Sequence, residues 1–183
     1  MSGPATGSIL LEENSLYVTT TQLAEAKFHW ALIVTDANCS ATRHHWHEKT
    51  DKPGFAEGYG VQKVQPKSLT GRIVLGYFKI RGYSPPAARV FTEICDTTYE
   101  TSYLTVPDNR RNGITCRTWV LQVLSTLCAR GCISGWVESG SIRKFVECVE
   151  QVIIRESRRA DCAYLTRFYR ERILTYVSPV MVV

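Results

Sequence analysis

Residues 28–35 read FHWALIVT and residues 41–48 read ATRHHWHE. The two runs are strand candidates and the turn-prone Asp36-Ala37-Asn38 lies between them, so together they read as a β-hairpin. With the turn centred near Ala37, antiparallel pairing sets His29 opposite about His45. Strand side chains alternate between faces, so His29, His45 and His47 share one face and His44 points to the other. All four histidines of the chain lie in this hairpin, which gathers there the side chains that titrate near neutral pH.

Upstream, Leu16, Val18 and Thr20 alternate as a strand does, and residues 1–14 read as a flexible N-terminal segment of small, polar and acidic residues around a short apolar patch. Downstream, Pro53, Gly54, Gly58 and Gly60 mark a loop, and 61–64 and 73–80 read as two more strands. Ser84-Pro85-Pro86 stops the sheet and suits a helix start, with Ala88, Phe91, Ile94 and Cys95 along one face. Residues 101–106 read as one more short strand. The clearest helix spans 115–130, where Cys116, Trp119, Val120, Val123, Leu124, Leu127 and Cys128 recur at helical spacing and Gly131 ends the run.

Two separate helical patterns follow, 142–156 and 162–174. They place Phe145, Val149, Val152 and Ile153, then Leu165, Phe168 and Tyr169, on packing faces. The expected fold class is α+β, an antiparallel β-sheet packed against helices, in a single domain over 15–183 whose C-terminal part is helical.

The 183 residues carry a net charge of +5 with 44% hydrophobic content, ordinary for one globular domain. Much of the excess charge is late, at Arg155, Arg158, Arg159, Arg167, Arg170 and Arg172. Interleaved Glu156, Asp161 and Glu171 make this stretch read as the solvated side of helices rather than a nucleic-acid surface. Seven scattered cysteines are not a disulfide scaffold. No run approaches the roughly 20 apolar residues that a membrane span requires, and the N-terminus lacks a basic n-region, so a cytoplasmic, reducing location is the default expectation.

Two groups carry candidate chemistry. His45-Trp46-His47 is an H-x-H pair like the opening of a cupin metal motif, but no later histidine follows to complete it. Three histidines with a cysteine around zinc is the remaining metal alternative. Cys116 follows Thr115, a good N-cap, and so falls in the first helical turn, where free backbone N–H groups and the helix dipole favour a thiolate. The alternative for Cys116 is a small hydrophobe on the buried face of its helix. Cys95, Cys128 and Cys148 lie within helical faces, where burial makes thiols inert. Trp46, Tyr59, Tyr77, Phe78 and Tyr83 read first as core, and otherwise as the lining of an apolar cleft.

His29-Trp30-Ala31-Leu32-Ile33-Val34, followed far downstream by Cys116-Arg117-Thr118-Trp119-Val120, resembles the circularly permuted papain-like proteins related to lecithin retinol acyltransferase. The pair with Arg after the Cys also resembles an uncharacterised fungal domain family of similar length. The likeness spans about residues 15–131 and rests on about a dozen of them. The resemblance implies a permuted papain-like fold with Cys116 as nucleophile, His29 as general base and His45, or else His47, as the third catalytic residue. It departs from the acyltransferases at Thr115, where they commonly have Asn, and at Asp36-Ala37-Asn38, where they have a Gly-rich turn.

The expected activity is a thiol hydrolase or acyltransferase acting on an ester, thioester or amide of a small-molecule or acyl substrate, without cofactor or metal, in fungal small-molecule metabolism. A non-hydrolytic cyclase or isomerase using the histidine cluster, and a non-catalytic binding module on the same fold, are the alternatives.

Overall fold

The computed structural model describes residues 9–23, 27–49, 56–65, 73–100, 102–171 and 178–183. Six strands, β1 (Leu16–Gln22), β2 (Phe28–Thr35), β3 (Ala41–Glu48), β4 (Glu57–Val64), β5 (Val74–Lys79) and β6 (Val180–Val182), form one sheet in the order β4-β3-β2-β1-β5-β6. Every pairing is antiparallel except that of β6, which runs parallel to β5. Four helices accompany the sheet: α1 (Ala88–Thr97), α2 (Val106–Arg111), α3 (Cys116–Ala129) and α4 (Ile142–Thr166). This is the α+β arrangement expected.

The β2–β3 turn is tied by Asp36, whose Oδ1 accepts from Asn38 N at 2.8 Å and Ser40 N at 2.9 Å, an Asx-type closure. Cys39 takes a positive φ of 58°. The ladder pairs Leu32 with His44 and Thr35 with Ala41, two residues along from the register that a turn centred at Ala37 would set. Because the offset is even, no side chain changes face.

Alternation then builds two apolar layers. Leu16, Val18, Trp30, Leu32, Trp46 and Phe78 point into the main core with Trp119, Val123 and Leu124 of α3 and Phe145, Val149 and Ile153 of α4. On the opposite face Tyr17, Ile33, Ala41 and Tyr77 cluster with Leu11. Residues 1–8 of the N-terminal stretch lie outside the described residues, and its later part is anchored through buried Leu11 and through Glu12, whose N–H donates to the Tyr17 hydroxyl at 2.9 Å.

Four expectations are corrected. Gly58 and Gly60, expected in a loop, lie inside β4, where the ladder pairs them with His47 and His45. The strand expected at 101–106 is absent over 102–106: Thr105 Oγ1 accepts from Asp108 N and caps α2, with Pro107 in its first turn. The β-branched residues misled there, because a cap and a proline at that spacing open a helix; Thr101 itself lies outside the described residues, as do Pro53, Gly54 and 172–174.

The two helices expected after 141 are one 25-residue helix. Its polar middle is bonded to the sheet rather than looped out: Ser157 Oγ lies 2.7 Å from Thr20 Oγ1, and Gln22 Nε2 donates to Asp161 Oδ1 at 2.5 Å. Leu165, Phe168 and Tyr169, expected to pack, are 36%, 37% and 74% exposed beyond that anchorage. Among the described residues no helix is long and apolar enough to cross a membrane.

Candidate active site

Local sequence fixes how α3 begins. Thr115 Oγ1 accepts from Thr118 N at 3.0 Å, and Thr115 N donates to Thr118 Oγ1 at 3.0 Å, a reciprocal capping box built with Thr rather than Glu. Cys116 is therefore the first helical residue. The segment before it is held equally firmly: Ile114 N donates to Asn109 O at 2.9 Å, and Arg110 Nη1 donates to Ile114 O at 2.6 Å.

The strands open to receive that helix start. The β2–β3 ladder stops at Leu32 and His44, so Trp30, the next residue of β2 whose N–H faces β3, has no strand partner there. Its N–H donates instead to Cys116 Sγ at 3.4 Å. Beside this bond a cleft of about 400 Å³ is lined by Cys116, His29, His45 and His47, together with Arg43, Glu57 and Arg110. Cys116, His29 and both candidates for the third residue, His45 and His47, thus border one cavity.

The histidines form a packed row. His45 and His47 stack with ring centroids 4.3 Å apart, and His29 meets His45 edge-on at 5.7 Å. Gly60 of β4 makes room for them: a Cβ there would lie 2.3 Å from His47 Nε2 and 3.4 Å from His45 Nε2. His45 is kept neutral, its pKa lowered to about 3 by burial first and then by the positive charge of Arg43, His47, His29 and Lys49. His45 Nδ1 is buried and has no hydrogen-bond partner among the described residues. Among the described residues no three His, Cys, Asp or Glu side chains are placed to share a metal ion.

His44, on the other face, is a core residue. Its Nδ1 is 2.7 Å from the Tyr59 hydroxyl, its ring packs on Phe91, and burial lowers its pKa to about 4. It borders a larger cleft of about 540 Å³ with Tyr83, Pro85 and Phe91. Among the described residues no cysteine lines that cleft.

The thiol differs from expectation. Burial pushes the Cys116 pKa above the ordinary thiol range, against the lowering influence of the Trp30 N–H, the Arg110 charge and the Arg117 N–H, and Glu57 pushes it further up. The helix start alone predicts a thiolate, but desolvation outweighs it. Among the other cysteines, Cys95 and Cys128 are buried as expected whereas Cys148 is exposed, and all seven are free.

Sequence reading missed Glu57, Arg110 and Arg43. Glu57 is 3% exposed, and its carboxylate takes Arg110 Nη2 at 2.6 Å, Arg110 Nη1 at 2.8 Å and Asn109 Nδ2 at 2.9 Å. No periodicity marks a carboxylate after a loop and an arginine in a six-residue helix as partners 53 residues apart. Searches with the chain found no matching family model, curated protein or solved structure.

Proposed function

We propose that the protein is a thiol hydrolase or acyltransferase in which Cys116 attacks the carbonyl of an ester, thioester or amide and His29 serves as the general base. The observation that carries this reading is the shared cleft: the thiol at the start of α3 borders the same 400 Å³ cavity as His29, His45 and His47.

Because the resting thiol is held protonated, proton removal by His29 accompanies attack rather than preceding it. Sγ forms a bond to the carbonyl carbon, the carbonyl electron pair moves to oxygen, and N–H groups of the α3 first turn stabilise that oxyanion. The collapsing intermediate expels the alcohol, thiol or amine, which takes the proton from His29. Water or an amine, deprotonated by the same imidazole, then attacks the acyl carbon, the C–S bond breaks, and Sγ leaves with the proton returned by His29. His45, neutral and edge-on to His29, is the orienting third residue, and His47 backs it by stacking.

The cleft suits a small acyl substrate, and seven free cysteines suit a reducing cytosolic compartment. A fungal small-molecule pathway and a permuted papain-like fold remain parts of this proposal on the motif resemblance alone.

A second reading is favoured by the protonated thiol and the row of imidazoles: proton transfer by the histidines alone, as in a cyclase or isomerase. One experiment separates the two. Wild type and Cys116→Ala are incubated with p-nitrophenyl acetate and an acyl thioester, with release followed optically and the intact protein weighed. Burst release with an acyl adduct on Cys116, lost in the variant, is the expected result. Undiminished turnover by Cys116→Ala overturns the nucleophile assignment.

A further inference from the structure

Glu57 and Arg110 meet in a bidentate pair at the wall of the cleft, and the pair does two things at once. Arg110 Nη1, while bonded to Glu57 Oε2 at 2.8 Å, also donates to Ile114 O at 2.6 Å. That carbonyl immediately precedes the N-cap Thr115, so the guanidinium fixes the backbone that delivers Cys116. Asn109 extends the grip: buried, it donates to Glu57 Oε2 at 2.9 Å through Nδ2 and accepts Tyr103 N at 2.8 Å through Oδ1. A two-fold planar fork is a donor geometry that arginine supplies and lysine does not.

We propose that Arg110 is a positioning residue for Cys116 and that Glu57 and Arg110 form a paired electrostatic control on the thiol, the arginine favouring its ionisation and the carboxylate opposing it. This deepens the nucleophile reading, on which its catalytic meaning rests, but its test reads the thiol itself and needs no turnover.

The ion pair lies half in solvent, with the Arg110 side chain 42% exposed and Glu57 5% exposed, so substitution at either position changes the charge the thiol meets from the cleft. Burial of the thiol sharpens its response to a neighbouring charge, since less water intervenes. The other ionisable groups around it are His29 from β2, Arg43, His45, His47 and Glu48 from β3. Arg117 on α3 contributes its backbone N–H, while its side chain is turned to Glu150 at 3.4 Å.

The signs are opposite and separable. Removing the Arg110 cation raises the thiol pKa, so at fixed pH below that pKa fewer thiolates exist and alkylation slows. Removing the Glu57 charge lowers the pKa, and alkylation quickens. A merely structural salt bridge predicts the same direction for both variants, because both break it.

The experiment measures iodoacetamide alkylation of Cys116, resolved from the other six cysteines by peptide mass mapping, between pH 6 and pH 10, in wild type, Arg110→Met, Arg110→Lys and Glu57→Gln. Expected at neutral pH is a fall of about tenfold in Arg110→Met with the pH midpoint moved up, equivalent to one pKa unit. Glu57→Gln moves the midpoint down, and Arg110→Lys, which keeps the charge but not the fork, restores the midpoint but only part of the rate. If Arg110→Met does not fold by circular dichroism, the opposite displacement of Glu57→Gln and the behaviour of Arg110→Lys decide. Midpoints that move the same way in Arg110→Met and Glu57→Gln, or a Glu57→Gln midpoint that does not fall, overturn the proposal. Should these displacements appear while Cys116→Ala keeps full turnover, the control on the thiol stands and the nucleophile reading falls.

Discussion

The backbone N–H of Trp30 donates to Cys116 Sγ at 3.4 Å, across 86 residues of chain. The donor is an amide released by the end of the β2–β3 ladder, and the acceptor is the first side chain of α3. Sheet and helix therefore meet through the atom proposed to react. A thiolate would strengthen this bond, since donors to charged acceptors bind more tightly. Cys116→Ser retains a hydrogen-bond acceptor at this place, so it is expected to fold with a Tm close to wild type while losing acyl-enzyme formation by intact mass.

Raised above the ordinary thiol range by burial, Cys116 is expected to alkylate slowly at pH 7, with a rate that still climbs above pH 9. Adding a bound acyl substrate analogue should block the reaction. A plateau already reached at pH 7 would contradict the proposed protonated resting state.

Thr115→Ala removes one half of the capping box while leaving Cys116 in place. Loss of such a cap costs about 1 kcal/mol, expected as a lower urea midpoint at unchanged slope. Thr115→Ser, which keeps the hydroxyl, should recover most of it.

Gly60 and Gly58 offer an internal comparison on one strand. Gly60→Ala sets a methyl 2.3 Å from His47 Nε2 and 2.7 Å from Cδ2, so the stacked imidazoles must move. Activity on an ester is expected to drop by about tenfold or more, equal to about 1.4 kcal/mol of transition-state stabilisation. Gly58→Ala meets only the flexible Lys49 chain, at 3.0 Å from its Cγ, and should be near wild type. Equal losses in both variants would show that the histidine row is not what Gly60 protects.

Acid should destabilise the fold through two histidines. His44 is lowered to about 4 and His45 to about 3, chiefly by burial. Between those values and the unfolded pKa near 6.5, the unfolded chain binds protons that the native chain refuses, so stability rises with pH across this window and levels off above it. For His44, nearly fully buried, the loss at pH 5 relative to pH 7 is about 2 kcal/mol. Urea midpoints for wild type and His44→Gln at both pH values check this, with a smaller pH dependence expected in the variant.

Several features were legible because they are encoded over a few residues. Period-two alternation set His44 on the face opposite His29, His45 and His47, and it survived the two-residue error in register because the offset was even. Thr115 and the spacing from Cys116 to Cys128 located α3 almost to the residue. Where local signals competed the reading failed: Thr105 and Pro107 opened a helix in a stretch that had strand composition. The polar run Ser157 to Asp161 continued α4 because β1 supplied Thr20 and Gln22 as partners.

The sequence by itself determined an antiparallel sheet with helices, the face shared by His29, His45 and His47, and a cysteine at a helix start, since each follows from backbone geometry and near-neighbour hydrogen bonding. Only the tertiary structure decided that the β2–β3 ladder stops at Leu32, that Cys116 enters there, and that Glu57 and Arg110 wall the same cleft. It alone set the sign of the thiol's displacement. The reason is physical: desolvation and Coulomb interactions depend on distances summed through the whole fold, which no short stretch of chain contains.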